Sequence, residues 1–150
     1  MISTKGRYAL RVMLDLAQQN SENYIPLEEI AARQEISKKY LEIIIKTLVR
    51  NRLVVGLRGK GGGYRLTRRP AEYTVGEILE VTEGTLAVVA CLQDGAEPCK
   101  RNAQCTTLPM WKQFDRMVRD FFFRITLEDL TEGTVAQCTS SPRNLQHCRD

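Results

Sequence analysis

The chain has 150 residues, 43% of them hydrophobic and 27% charged, with a formal net charge of +4, the mixture of a globular protein with room for one sizeable core. No run approaches the ~18 apolar residues needed to span a bilayer, and residues 1–6 lead into no apolar signal region, so the expected location is the cytoplasm and no membrane partner is expected. The charge is uneven: residues 1–70 carry 14 Lys/Arg against 6 Asp/Glu, and residues 71–150 carry 8 against 12, which predicts that the basic first half meets a polyanion.

Residues 4–19 read as a helix, because Ala9, Val12 or Met13, and Leu16 recur at helical spacing. After a polar break, Pro26 marks a helix start, with Glu28 and Glu29 favourably placed in the first turn. Leu27, Ile30 and Ala31 form its inner face, and it should stop near Gln34-Glu35. Ser37 is an N-cap for a third helix, whose buried stripe is Leu41, Ile44 and Leu48. Two short helices joined by a few residues make a helix-turn-helix.

Residues 53–57 are then strand-like. The basic, glycine-rich stretch 58–63 suits turns and positive φ rather than a helix interior, and residues 64–66 form a second short strand. Two strands around such a tip make a β-hairpin wing. Thr74-Val75-Gly76-Glu77 is a capping-box pattern opening a helix to about residue 82, which Gly84 ends. Residues 91–106 are irregular. A long helix follows from about 108 to 123, then a short one begins at Thr126 with Leu127 and Leu130. From Gly133 the tail is polar, with the composition of a flexible segment.

Helix, helix-turn-helix and basic wing are the parts of a mainly α winged-helix DNA-binding domain. Cations here would neutralise phosphates and release counterions. Ser37, Lys38, Lys39 and Tyr40 near the start of the third helix can enter a major groove. Glu42 can accept a hydrogen bond from cytosine N4. Arg58, with Lys60 and Gly61 in the wing tip, suits a narrow minor groove. A phosphate cradle is the rival reading of the glycine loop, but the G-x-x-x-x-G-K-[ST] spacing is missing and a strand follows.

Ser3-Thr4-Lys5-Gly6-Arg7-Tyr8-Ala9, Ile36-Ser37-Lys38-Lys39-Tyr40-Leu41-Glu42 and Leu57-Arg58-Gly59-Lys60-Gly61-Gly62-Gly63-Tyr64 strongly resemble the bacterial iron–sulfur-cluster regulator family of winged-helix transcription factors, the IscR, NsrR and CymR type. The resemblance runs over about residues 1–130. It implies a homodimer held by a long helix, with two winged-helix heads on a palindrome-like operator in double-stranded DNA. It places Ser37, Lys39, Tyr40 and Glu42 on the recognition helix and Arg58 in the wing. The expected division is a DNA-binding domain over 1–83, a cysteine loop over 84–106, a dimerisation helix with a short helix over 107–132, and a tail over 133–150.

Five cysteines, an odd number, argue against a disulfide framework. Cys91, Cys99 and Cys105 fall within fifteen residues, and thiolates are soft ligands for iron–sulfur clusters or zinc. Lys100 and Arg101 can stabilise anionic sulfur. Zinc is disfavoured by the absence of C-x2-C pairs, while metal-free, switching thiols stay open. The resemblance favours an iron–sulfur cluster, 2Fe–2S over 4Fe–4S, but the histidine that completes the family's site is Leu108 here, and Tyr8 occupies the region of an aspartate used by some members. Water or a small thiol, Cys138, His147, Cys148, or a partner-subunit side chain are the remaining candidates for a fourth ligand.

Trp111, Phe114, Met117, Val118, Phe121 and Phe122 give the long helix a wide apolar face, part of it intrachain core and the rest a dimer interface. No acid/base pair, nucleophile triad or nucleotide loop appears, so neither an enzyme nor a small-molecule substrate is expected. The function expected is a transcription regulator, a repressor, sensing iron–sulfur status, redox state or nitric oxide. The alternative is a cofactor-free thiol-switch or partner-controlled repressor of cysteine or sulfur metabolism.

Overall fold

A computed structural model describes residues 2–19, 22–97 and 99–135. It contains α1 (Thr4–Gln19), α2 (Leu27–Gln34), α3 (Lys38–Arg50), β1 (Val54–Leu57), β2 (Gly63–Leu66), α4 (Val75–Glu83), α5 (Leu108–Arg124) and α6 (Leu127–Glu132), with one-turn 3-10 segments at Pro70–Glu72, Ala90–Leu92 and Asn102–Gln104. The expected mainly α winged-helix architecture is the observed one. No helix among the described residues is long and apolar enough to cross a membrane. Cys138, His147 and Cys148 lie outside the described residues, as does most of the polar tail.

The core forms where the apolar stripes of the first three helices meet. Ala9, Val12 and Met13 of α1, Ile30 of α2, and Leu41, Ile44, Ile45 and Leu48 of α3 are buried together, with Leu53 and Ile78. Removing each such Ile or Leu side chain from water contributes about 1.5–3 kcal/mol. Pro26 stands just outside α2, at the N-cap. Its φ is pre-set for an entry turn, but it brings no side-chain cap, so α2 starts on packing and on Glu28 and Glu29. Glu35 adopts a left-handed conformation, φ 53°, which ends α2, and the buried Ile36 anchors the turn into α3.

The sheet is a two-stranded antiparallel hairpin in the register Val54↔Leu66, Val55↔Arg65, Gly56↔Tyr64, Leu57↔Gly63. Ile25 adds a backbone bridge on the far side of β2, donating to the Tyr64 carbonyl at 2.9 Å and accepting from its amide at 2.8 Å. A Cβ at Gly63 would run into the Ile25 carbonyl, and one at Gly62 would meet the carbonyls of Leu57 and Gly59. The close approach of backbones, more than turn preference, requires glycine at both places.

Tyr73 fastens the base of the hairpin. Its ring is fully buried. Its hydroxyl donates to the Leu53 carbonyl at 2.8 Å and accepts from the amides of Thr67 and Arg68, both at 2.8 Å. The Arg68 guanidinium lies over its ring, 4.3 Å from the centroid.

Thr74 caps α4 by accepting from the Glu77 amide at 3.1 Å. The expected capping box forms only this half: the Glu77 carboxylate pairs with Arg68 at 2.6 Å, because a guanidinium offers it a stronger partner than one backbone amide. Thr126 does form a full box with Asp129 and starts α6. The end of α5 turns back onto the head: the Val75 amide donates to the Ile125 carbonyl at 2.8 Å, and the Leu127 amide to the Tyr73 carbonyl at 3.0 Å. Leu127 is buried in the same core as α1 and α3, so α6 shares the core of the expected 1–83 domain.

Candidate functional site

Two surfaces carry the chemistry: the side of α3 nearest the hairpin, and the cysteine-bearing segment between α4 and α5. Ser37 caps α3, accepting from the Tyr40 amide at 3.3 Å. This fixes the first turn of the helix, where Ser37, Lys38 and Lys39 are exposed. Between α3 and the hairpin lies a groove of about 420 Å³, whose lining includes Lys38, Glu42 and Lys46 from α3 and Leu57, Arg58 and Tyr64 from the hairpin. Arg58, Lys60 and Gly61 are exposed at the wing tip.

The predicted residues are not equivalent in this setting. Lys38 forms an ion pair with Glu28 of α2. Each group holds the other charged: Lys38 is pushed up by its bond to Glu28, and Glu28 down by its bond to Lys38. Tyr40 is half-buried, packed edge-on against Tyr8 with centroids 5.9 Å apart, and Arg11 lies over the other ring of the pair. Lys39, Arg58 and Lys60 form no ion pair among the described residues, so their charge is available to a polyanion.

Sequence reasoning missed the contact that ties α1 to α2, the first helix of the helix-turn-helix motif. Asp15 of α1 is buried, and Arg33 of α2 grips it with two nitrogens at 3.0 and 2.8 Å, while the Gln34 amide donates to it at 2.9 Å. The available signal was a lone acid within an apolar helix face. Such a fork fixes direction as well as distance, and so sets where α2 presents the start of α3.

In the cysteine segment, Cys91 and Cys99 are exposed and Cys105 is half-buried. The expected convergence of the three sulfurs is not observed: among the described residues, no group of three Cys, His, Asp or Glu side chains is placed to hold a metal ion. The reason is local. The backbone bonds described within residues 90–108 span three positions, Gln93 to Ala90, Ala96 to Gln93, Asn102 to Cys99, Cys105 to Asn102, and such short turns draw no distant thiols together. The donor chemistry nevertheless suits a soft metal centre. Thr107, hydrogen-bonded to the Cys105 sulfur at 3.5 Å, holds that thiol below the usual thiol range, aided by the backbone amides at the start of α5 and by the charge of Arg101.

The helix that follows is amphipathic in an unusual sense, with none of its residues fully buried. One face is bound to the head: Arg119 bridges Asp115 at 3.1 Å and Glu80 of α4 at 2.7 Å, Asp115 accepts from the Val88 amide at 3.0 Å, and Phe122 packs on the small cluster of Val75, Leu79, Leu86 and Ile125. Met110, Phe114, Met117 and Phe121 are exposed at spacings of four, three and four, the repeat of a helix-pairing seam. Trp111 and Val118 are half-buried beside it.

Comparison with known proteins decides what this arrangement belongs to. The sequence pattern of Rrf2, described as iron-dependent transcriptional regulator, matches residues 2–133. The chain belongs to the Rrf2 family. This Rrf2 protein is 36% identical over 132 residues to the regulator IscR of Pectobacterium atrosepticum, covering 88% of this chain and 79% of that one. It is 34% identical over 144 residues to IscR of Aliivibrio salmonicida, covering 96% and 84%. Among solved structures it is similar to CymR, the global cysteine regulator of B. subtilis, with a TM-score of 0.72, 35% identity and coverage of 89% and 97%. It is also similar to T. potens IscR, with a TM-score of 0.70, 32% identity and coverage of 89% and 88%. It is an IscR-like member of a family of DNA-binding transcription regulators.

Proposed function

We propose that this Rrf2 regulator is a homodimeric repressor that reads a palindrome-like operator and senses iron–sulfur status, redox state or nitric oxide through its cysteine loop. The observation that carries the reading is the position of residues 84–107: they join α4, which is part of the DNA-binding head, to α5, whose outward apolar seam suits a second copy. The names of the IscR relatives support the cofactor. Cys91, Cys99 and Cys105 are the residues that would hold an iron–sulfur cluster, 2Fe–2S before 4Fe–4S, and when bound such a group supplies a centre sensitive to oxidants and nitric oxide.

The chain's own part follows from its geometry. Cys105 offers a sulfur already biased towards thiolate, two residues ahead of the Thr107 N-cap of α5. The loop is held by short turns rather than by long-range bonds, so gathering its thiols is coupled to ligand binding. Its conformation then sets where the N-terminal end of α5 lies, and with it the separation of the two heads on DNA. Lys39, Arg58 and Lys60 neutralise phosphates, and Glu42 in the groove discriminates among bases.

Anaerobic purification followed by iron and sulfide assays, absorption spectra and operator binding tests this. The expected result is a brown protein whose affinity or sequence preference for DNA changes when iron and sulfide are removed; equal binding by both forms would defeat the sensing reading. A second reading, a cofactor-free thiol switch or a partner-controlled repressor, draws on the ungathered thiols and on the lowered Cys105. It expects a colourless protein whose DNA affinity responds to a thiol oxidant or to a protein partner.

A further inference from the structure

We infer that Ile43 is a base-reading residue, seated against the 5-methyl group of a thymine in the major groove. The inference rests on the reading of α3 as the helix that enters that groove. The buried side of α3 is Leu41, Ile44, Ile45 and Leu48. Diametrically opposite, at intervals of four, three and four residues, stand Lys39, Ile43, Lys46 and Arg50, all exposed. The three cations of this stripe form no ion pair among the described residues. Ile43 is 49% exposed, on the side of the helix away from the core.

An isoleucine is out of place there on local grounds. It is a weaker helix former than Lys, Glu or Ala, and with half of its surface open to solvent it gains little from burial in its own chain. The polyanion that matches its three neighbours displays one apolar group on the base edges of the major groove, the thymine methyl. Lys39 and Lys46 flank Ile43 by about one turn on either side, roughly 6 and 4.5 Å along the axis, so phosphate contacts on both sides can press the side chain onto a base. A protein partner recognised by apolar contact would need a wider patch. The other exposed apolar residue of α3, Val49, lies about a third of a turn away around the helix.

The test selects duplexes from a random pool with the full-length protein, then replaces each thymine of the selected site singly by deoxyuridine, which lacks only the methyl. Fluorescence anisotropy then gives Kd for wild type, Ile43→Ala, Ile43→Val and Lys39→Ala. Wild type should lose about fourfold at one thymine in each half-site, the worth of one methyl-sized group, and little at the others. Ile43→Ala should bind the unmodified site more weakly and be indifferent to that replacement, with an unchanged salt slope. Ile43→Val should stay sensitive to it. Lys39→Ala should weaken binding to all duplexes, flatten the salt slope and keep the methyl effect. A wild type indifferent to every replacement, a selected site without thymine, or an Ile43→Ala protein as sensitive as wild type overturns the inference while leaving DNA binding intact. Failure of wild type to bind any duplex overturns the reading of α3 and this inference with it.

Discussion

Replacing Tyr73 by Phe removes a single oxygen from the base of the wing. Its hydroxyl serves the Leu53 carbonyl and the amides of Thr67 and Arg68, each at 2.8 Å. Two of these groups have a fallback: the Leu53 carbonyl also accepts from the Thr67 amide at 3.4 Å and the Thr67 hydroxyl at 3.3 Å. The Arg68 amide has no second partner among the bonds described. The loss is therefore about one net hydrogen bond, near 1 kcal/mol, plus an orphaned amide at about 1 kcal/mol, giving about 2 kcal/mol. For a chain of this length that lowers Tm by roughly 4–8 °C. Thermal and urea unfolding followed by circular dichroism measure it, with an unchanged m-value showing that the unfolded state is the same. A midpoint within the error of wild type would refute the assignment of Tyr73 as the fastening of the hairpin.

Other outcomes follow from single contacts. Asp15→Asn keeps the shape but takes the charge from the fork held by Arg33, which is one-third exposed, so urea unfolding should show a loss of about 1–3 kcal/mol, below the value for a fully buried pair. Gly62→Ala forces a Cβ against the Leu57 and Gly59 carbonyls; gel-shift titration should show weakened DNA binding while near-ultraviolet circular dichroism of the core persists. Phe114→Glu combined with Phe121→Glu should convert a dimer to a folded monomer in sedimentation velocity, because both side chains lie on the exposed seam of α5. The depressed Cys105 thiol is thiolate at lower pH than an ordinary cysteine, so in metal-free protein its alkylation rate should stay high as pH falls below the usual thiol range and drop only through the lowered pKa. Mass-spectrometric mapping against pH reads this, and a profile matching a free cysteine would remove the claim.

The features readable in the sequence were those whose cause is local. Thr4 to Gln19 is helical because its apolar residues repeat within one face, and Ser37 and Thr126 cap because the partner amide is three residues away. The hairpin was readable from its glycines, although the reason Gly63 must be glycine, the Ile25 backbone, lies 38 positions earlier in the chain. Asp15 with Arg33, and Tyr73 with Leu53, are paired over 18 and 20 positions, and no periodicity marks them. The same limit governs the cysteines. Their type and clustering are visible, but whether three sulfurs meet depends on long-range bonds that residues 84–107 scarcely have. On α5, composition announced an apolar helix, while the split between a face tied to Glu80 and a seam facing outward required the position of α4.

The two ends of α5 are held unequally. Its C-terminal end is pinned, since Ile125 and Leu127 share backbone bonds with Val75 and Tyr73, while the Leu108 end hangs from the loop that carries the cysteines. Arg119 ties the middle of the helix to Glu80 of α4, so the eleven residues from Leu108 to Val118, about 16 Å, are the part that can act as a lever with its fulcrum in the head and its handle at the sulfurs. A small change of loop shape would be felt as a swing of the seam, and in the proposed two-fold assembly that swing would be doubled.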